Sequence, residues 1–361
     1  MSTLGMLSFW SAVGYWVAGW FLFVGVKKLS EYPLGRRRPP VSVIIPARNE
    51  EQTLPRLLVS LRGQTGPPDE IIVVNDNSSD RTAQIAEQYG CRVVHVQSKP
   101  EEWTGKSWAC WTGAETATYE LLLFLDADVW CGKEAISALR AVWLEHGGLV
   151  SVQPKHITEK FYEQCSAFFN IVSVAAAGRK GSFGPCMVCS KKDYFDSGGH
   201  KTVRDHVVDD VALAKQFLKK EKRVTPFMGL NEMKFRMYPG GIRQLFEGWT
   251  KNMAAGATLT GFLSVILLFL WFTGIINSVT AVLFTALCPA YRLLAAALIT
   301  YGAYVVQIHL LLRRVGRFFF TTALFYPFYF LFFLLLFFIS IILTAVVGKV
   351  RWKGRVIYLR R

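Results

Sequence analysis

Hydrophobic positions fall into two patterns along this chain. Within residues 39–250 the apolar runs are short: 41–45, 70–74, 92–96, 121–125 and 149–153, each rich in Val, Ile or Leu. Unbroken rather than alternating hydrophobicity predicts strands buried on both faces. Between the first of these runs lie segments with helical spacing, such as Leu54, Leu57, Leu58 and Leu61. Strand alternating with helix over short connections predicts a three-layer α/β domain with a mainly parallel sheet and right-handed crossovers. Outside this region the pattern changes. Residues 4–26, 259–287, 293–312 and 318–348 contain no Asp, Glu, Lys or Arg. Each is near or above the ~20 residues that span a bilayer core. The expected architecture is an α/β domain with transmembrane helices at both ends.

Composition strengthens the membrane reading. The 361 residues are 52% hydrophobic and 14% aromatic, and the apolar excess sits in those four stretches. No basic residue precedes the first stretch, while Lys27 and Lys28 follow it at once, so it reads as a retained anchor and not a cleaved signal. Lys27, Lys28, Arg36, Arg37 and Arg38 place the α/β domain on the cytoplasmic side of a cell membrane by the positive-inside rule. Cysteines there stay reduced. The CxxC pair Cys186 and Cys189 has no second pair or His set beside it, which favours structural cysteines over zinc. The net charge of +15 favours membrane lipids with anionic headgroups and an anionic nucleotide donor, with no nucleic acid implied. Topology does not close from sequence. One anchor before the domain and three simple spans after it put the C-terminus outside, yet Lys349, Arg351, Lys353, Arg355, Arg360 and Arg361 argue that it stays inside. A re-entrant hairpin in 318–348, which contains Pro327, or in 259–287, broken near Gly274 and Asn277, would reconcile the two.

The polar residues that carry chemistry stand where such strands end. Arg48, Asn49 and Glu50 follow the first strand, Asp76 ends the second, and Asp126 and Asp128 follow the run at 121–125. In an open α/β sheet, ligands bind beyond the carboxyl ends of the strands. Two carboxylates so close repel unless a divalent metal, itself carrying a phosphate-rich ligand, holds them. A solvated Asp turn is the plain alternative for the tripeptide alone. No GxGxxG or Walker sequence is present, which disfavours a dinucleotide fold or a P-loop enzyme. Further on, Asp209 and Asp210 begin a helical pattern, where carboxylates complement the helix dipole. Capping alone would account for them.

Together, residues 44–50 (IIPARNE), 74–80 (VNDNSSD) and 125–128 (LDAD) make the chain resemble the family 2 inverting glycosyltransferases, which have the GT-A fold. The resemblance implies a donor pocket for a UDP-sugar. Pro46, Glu50 and Asp76 would line the uridine end, Asp126 would lie near the ribose, and Arg48 would also bind the donor. Asp128 would hold Mn2+ or Mg2+ against the diphosphate, and Lys106 would lie near the nucleotide. It also places the catalytic carboxylate pair at Asp209 and Asp210, with Asp210 matching the base. Many members carry Gln-x-x-Arg-Trp at the place of Leu245 to Trp249. Here Trp249 remains, while Leu245 replaces the Gln and Gly248 the Arg. An acceptor site at Trp249, Gly184 and His200 is expected. Residues 1–28 then read as the anchor, 39–230 as the GT-A domain and 231–257 as interfacial helices. Residues 258–348 form a transmembrane or re-entrant bundle, and 349–361 a basic tail.

More of the chain, including residues 151–158, 198–200, 235–238, 247–251, 313–316 and 352–355, resembles bacterial carotenoid glycosyltransferases. That implies transfer of glucose from UDP-glucose to a carotenoid acid of the 4,4'-diaponeurosporenoate type, in carotenoid biosynthesis. Another lipid acceptor, such as a hopanoid, ceramide, diacylglycerol or polyprenyl phosphate, is the alternative. An inverting transfer needs a carboxylate base when the acceptor is a hydroxyl. An acceptor that is itself a carboxylate is already ionised near neutrality. A processive polysaccharide synthase is disfavoured by the altered Gln-x-x-Arg-Trp and the few spans. A non-enzymatic membrane scaffold is disfavoured by the intact acidic pairs.

Overall fold

A computed structural model describes residues 3–31, 39–206, 208–257, 260–287, 291–344, 349–352 and 355–358. Arg36, Arg37, Arg38, Lys353, Arg360 and Arg361 of the basic clusters lie outside the described residues. The chain begins with α1 (Thr3–Trp20) and enters the sheet as the short β1 (Lys27–Lys28). The α/β region follows as β2 (Val41–Ala47), α2 (Leu54–Arg62), β3 (Glu70–Asp76), α3 (Thr82–Gln88), β4 (Arg92–Val96), α4 (Gly105–Thr116) and β5 (Leu121–Leu125). Next come β6 (Val129–Cys131), α5 (Ala135–His146), β7 (Leu149–Gln153), β8 (Lys155–Ile157), α6 (Ala167–Ala177) and β9 (Cys186–Ser190). Then α7 (Lys191–Asp196), α8 (Asp209–Lys219), β10 (Val224–Met228) and β11 (Met233–Phe235) close the region.

The main sheet has eight strands in the order β1-β10-β7-β9-β5-β2-β3-β4. All its pairings are parallel except those of β9, which runs antiparallel between β5 and β7. The expected mainly parallel α/β layout is therefore present. β5 shows why its sequence is continuously apolar. Leu121, Leu123 and Leu125 enter one core, and Leu122 and Phe124 enter the core on the opposite face. Full burial of each such side chain is worth about 1.5–3 kcal/mol. The same two-residue period explains the CxxC pair. Cys186 and Cys189, three apart on β9, point into opposite cores and have no ligand in common.

A second, four-stranded sheet has the order β12-β8-β11-β6, where β12 is Gly316–Arg317. Its strands β11 and β12 come from beyond residue 230, so the segment boundary expected there is bridged by hydrogen-bonded backbone. After β11 come α9 (Ile242–Ala257), α10 (Phe262–Leu287), α11 (Tyr291–Val315), α12 (Phe320–Leu324) and α13 (Tyr326–Ile342). The paired strands β13 (Lys349–Trp352) and β14 (Arg355–Tyr358) follow, where a basic tail was expected.

Among the described residues two helices are long and apolar enough to cross a membrane: α10, and α11 from Leu293. The N-terminal segment, expected to span over 4–26, is not one of them. Its helix stops at Trp20 because the chain turns to pair Lys27 and Lys28 with Phe227 and Met228. It still docks along α10 and α11: the Trp16 indole donates to the Ala303 carbonyl at 3.1 Å, and the Gln307 amide donates to the Trp16 carbonyl at 2.7 Å. Gln307 also accepts from the Trp271 indole at 2.9 Å, so its polarity is satisfied within the helix cluster.

Among the described residues, neither Gly274, Asn277 nor Pro327 breaks a helix into a hairpin. α10 runs unbroken through Gly274 and Asn277, and Gly274 serves close packing, since a Cβ there would lie 1.9 Å from the Tyr304 hydroxyl. Pro327 sits in the first turn of α13, where its missing N–H costs nothing. α13 is tied to the α/β side near both ends. Tyr329 and Phe330 join the core of α6, and the Ser340 hydroxyl donates to the Thr250 carbonyl of α9 at 2.6 Å.

Candidate active site

A cavity of about 2090 Å³ opens at the carboxyl ends of β2, β3 and β5. Its walls include Pro46, Arg48, Glu50, Asp76, Lys106, Asp126, Asp128, Gly184, Asp209, Asp210 and Trp249. Sequence positions spread over two hundred residues thus converge on one space, and of the residues expected at the site only His200 lies outside its walls.

The loops after β2 and β3 are bolted together. Asn49 adopts a left-handed conformation (φ 53°), which Asn tolerates better than most residues. Its N–H donates to the Ser78 hydroxyl at 3.1 Å, and its side-chain carbonyl accepts from the Ser79 N–H at 2.9 Å. The Glu50 and Glu51 N–H groups donate to the Thr82 hydroxyl and the Asp80 carboxylate at 2.8 and 3.0 Å. Asp80 also accepts from the Thr82 N–H at 3.0 Å, just ahead of α3. These bonds fix the backbone that carries Pro46, Arg48 and Glu50. Asp76, 8% exposed, lies 3.8 Å from the Arg48 guanidinium. Burial raises its carboxyl pKa against the pull of Arg48 and Lys99.

Lys106 is held in the first turn of α4, where the Thr104 hydroxyl caps the helix by accepting from the Ser107 N–H. Its ammonium pairs with Asp126 at 2.6 Å. Burial works against its charge, but Asp126 and then Asp209 outweigh that and raise its pKa. Lys106 thus engages Asp126, and both Asp126 and Asp128 line the cavity. Among the described residues no group of three or more His, Cys, Asp or Glu is arranged to hold a metal by itself. Asp128, a carboxylate in the cavity wall, nonetheless fits magnesium or manganese, hard cations that can take most of their ligands from a bound phosphate and water.

Asp209 and Asp210, adjacent in the first turn of α8, behave oppositely. Burial pushes Asp209 up, but Lys106, then His200 at 3.5 Å, and Lys251 together hold it well below the usual carboxylate range. Asp210 is pushed up to about 6 by burial and by the charge of Asp209. Its Oδ2 accepts from the Gly184 N–H at 2.6 Å, which aims the carboxyl across the cavity wall.

His200 is corrected from an acceptor contact to a buried support. It has no exposed surface and stands behind Asp209, 3.5 Å from Oδ2. The Tyr194 hydroxyl accepts from the His200 N–H at 3.1 Å and lies 2.8 Å from Nδ1. Tyr194 thus fixes the ring, whose Nε2 edge faces Asp209. Gly198 and Gly199 shape this buried turn, with φ of 82° and 48°, and do not approach the cavity.

Trp249 lies in the wall but is itself only 4% exposed. Its ring stacks on Phe169 at 4.7 Å and its indole donates to the Ser166 hydroxyl at 3.0 Å. The neighbouring Gly248 has a steric cause: a Cβ there would lie 2.2 Å from the ring of Tyr238, itself in a left-handed conformation (φ 57°). The aromatic stretch 161–169 divides in the same way: Phe168 and Phe169 are core, and Phe161 is exposed.

Sequence reading missed the far side of the cavity. Gln153, Arg179, Lys180, Lys215, Tyr238 and Lys251 contribute polar groups, while Phe262, Leu263, Leu267, Leu268, Phe269, Phe272, Phe333 and Phe337 form an apolar wall from α10 and α13. Those residues belong to stretches so uniformly apolar that no periodicity marks the side facing a ligand.

Residues 42–170 match the model of the family described as Glycosyl transferase family 2. The chain is 37% identical over 353 residues to a 4,4'-diaponeurosporenoate glycosyltransferase from Staphylococcus aureus, covering 93% of each chain. A protein of the same name from Staphylococcus haemolyticus is 39% identical over 259 residues, 68% of this chain and 69% of that one. Among solved structures, a mannosyltransferase from Pyrobaculum calidifontis in complex with GDP-mannose and Mn2+ is similar in fold, with a TM-score of 0.56 at 17% identity over 94% of this chain and 96% of that one. Motifs at the strand ends, the mainly parallel GT-A architecture and near full-length similarity agree, and the chain belongs to glycosyltransferase family 2.

Proposed function

We propose that this glycosyltransferase moves glucose from UDP-glucose to a carotenoid acid at a membrane surface. The observation that carries the reading is the continuity of one cavity, polar at the strand ends and apolar between α10 and α13. A nucleotide-sugar suits the first end and a long apolar chain the second. The names of the Staphylococcus relatives support this acceptor. Asp76 and the bolted loops receive the uracil end of the donor, and Arg48 and Lys106 supply positive charge near its phosphates. Asp128 would hold a divalent cation, magnesium or manganese, which when bound would supply positive charge for the leaving diphosphate.

The acceptor oxygen attacks the anomeric carbon from the face opposite the diphosphate. The new glycosyl C–O bond forms as the bond to the β-phosphate oxygen breaks, and UDP leaves with the electron pair. With a carboxylic acid acceptor, the attacking oxygen is already an anion near neutrality. Asp210 then has no proton to remove, and Lys251, on the same wall, positions the anion and offsets its charge. A hydroxylated lipid is the second reading, favoured by one feature: at about 6, Asp210 suits a general base working near neutral pH.

The membrane reading follows from the helices. α10 and α11 form a crossing pair that returns to the α/β side at Arg313 and Arg314. α13 lies along α9 with one face exposed, including Phe328, Leu331, Leu335 and Phe338, and β13 also packs against α9. A pair of crossings with α13 at the interface keeps the basic C-terminal strands on the domain's side, which the positive-inside rule makes cytoplasmic. A long apolar acceptor then stays in the bilayer, avoiding about 0.8 kcal/mol for each methylene moved to water.

The test is transfer by the full chain in liposomes with magnesium or manganese and labelled UDP-glucose. Label on a C30 carotenoid acid, in an alkali-labile ester, is the expected result. Label only on hydroxylated lipids would replace the acceptor, and label only from another nucleotide-sugar would replace the donor.

A further inference from the structure

On the second sheet, away from the strand ends, lies a smaller pocket of about 320 Å³ lined by Arg56, Trp130, Lys155, Lys234 and Arg317 with Ile157 and Asn231. The register explains how the charges meet. Lys155 of β8 stands directly opposite Lys234 of β11, Lys234 opposite Trp130 of β6, and Ile157 opposite Arg317 of β12. Alternation puts these side chains on one face, the other face carrying buried His156 and Phe235. The Arg56 guanidinium of α2 covers the Trp130 ring at 3.3 Å. Like charges directly opposite on neighbouring strands destabilise a sheet. Among the described residues none of these four cations is within 4 Å of a carboxylate. Glu159, the acid nearest in influence to Arg56, is itself engaged by Arg236 at 2.5 Å. Burial, then Lys234, Arg313 and Arg317, lower the Lys155 pKa. Four cations from four separate elements, gathered at an electrostatic cost with no anion of the protein among them, describe a site built for an anion.

Its position identifies the source. Arg317 follows α11 by two residues, and α11 ends in Arg313 and Arg314 after a candidate membrane crossing. Phe319 and Phe320, next in the chain, are exposed. The pocket therefore sits where a crossing helix emerges, at the level of phosphate headgroups. We propose that it binds the phosphate of an anionic phospholipid and so fixes the second sheet, and the catalytic domain with it, against the bilayer. This rests on the reading that α10 and α11 cross a membrane.

That reading is checked first and separately: the full chain in a membrane fraction must resist carbonate extraction and require detergent. Native mass spectrometry of the detergent-solubilised protein then compares added phosphatidylglycerol, phosphatidylcholine and inorganic phosphate. Retention of phosphatidylglycerol over phosphatidylcholine is expected, with occupancy falling about tenfold in the double variant Lys155→Gln/Lys234→Gln and in Arg317→Gln. Lys220→Gln, on the far end of α8, should leave it unchanged. Thermal unfolding accompanies each variant; the double variant should unfold no earlier than the parent without lipid, because a repulsion has been removed. Equal retention of both lipids, or unchanged phosphatidylglycerol occupancy in folded variants, would overturn the proposal. Saturation by inorganic phosphate that displaces the lipid would assign the pocket to a soluble anion instead.

Discussion

The two ends of the large cavity are built by opposite means. At the polar end, proposed for the donor, chemistry is largely local in sequence: apart from Lys106 at the start of α4, the groups after β2, β3 and β5 stand within a few residues of a strand terminus, and hydrogen bonds between the loops after β2 and β3 hold them there. At the apolar end, proposed for the acceptor, little is local. The wall is assembled from α6, α9, α10 and α13, and its polar groups come singly from separate places: Gln153 from β7, Tyr238 from the turn before α9 and Lys251 from α9. The first arrangement suits a ligand of fixed shape and charge. The second suits a long apolar ligand with one polar terminus. Asp209 and Asp210 stand at the junction, and their opposite titration follows the division: Asp209 faces the Lys106 cluster, while Asp210 borders the less compensated side.

The division is tested most strongly at the donor end. Asp128→Ala should reduce transfer to every acceptor by at least ~10³-fold, because charge on the leaving diphosphate loses its partner. Chelation of divalent ions should reproduce the loss in the parent protein, and circular dichroism should show the fold intact. Retained transfer would remove Asp128 from the site.

At the junction the effect should depend on the acceptor. Asp210→Asn should cost about 10²- to 10⁴-fold with a hydroxylated lipid, the range for removing a general base. With a carotenoid acid the loss should be much smaller. The pH profile carries the same contrast. A base raised to about 6 is protonated and inactive below that value, so turnover of a hydroxyl acceptor should fall about tenfold per unit below pH 6. Ester formation should persist until the acceptor's own carboxyl protonates, near the ordinary carboxylate range. Identical profiles for the two acceptors would contradict this division of roles.

Smaller effects are expected farther out. Lys251→Met should raise KM for the acid about tenfold, the loss of one charge-assisted contact of ~1.4 kcal/mol, and leave a hydroxyl acceptor nearly unchanged. Phe337→Ala should raise KM for long acceptors several-fold, with less effect on shortened ones, as apolar contact area is removed. Initial-rate measurements over acceptor concentration check both.

The same contrast explains what sequence made legible. The main sheet was readable because Leu121 to Leu125 and Val41 to Ile45 must be apolar on both faces, and the convergence of Arg48, Asp76 and Asp126 on one cavity because strand ends place them. His200 was misplaced because a Gly-Gly-His turn is equally at home around a sugar or around Tyr194, and only the packing of Tyr194 decides. The extent of the N-terminal helix and the continuity of α10 were not legible because both depend on distant partners: Phe227 and Met228 capture Lys27 and Lys28, and Tyr304 requires Gly274. The short strands of the second sheet were hidden because three residues carry too little periodicity.

The central claim is that one cavity holds a nucleotide-sugar at its polar end and a lipid chain at its apolar end. Its most direct test is photocrosslinking with a carotenoid acid analogue bearing a photoreactive group at the end remote from the carboxyl. The account predicts adducts on the α10 and α13 wall, around Phe269, Phe272, Phe333 and Phe337, competed by the unlabelled acid. Adducts confined to the outer faces of the helices, or unaffected by competition, would contradict it.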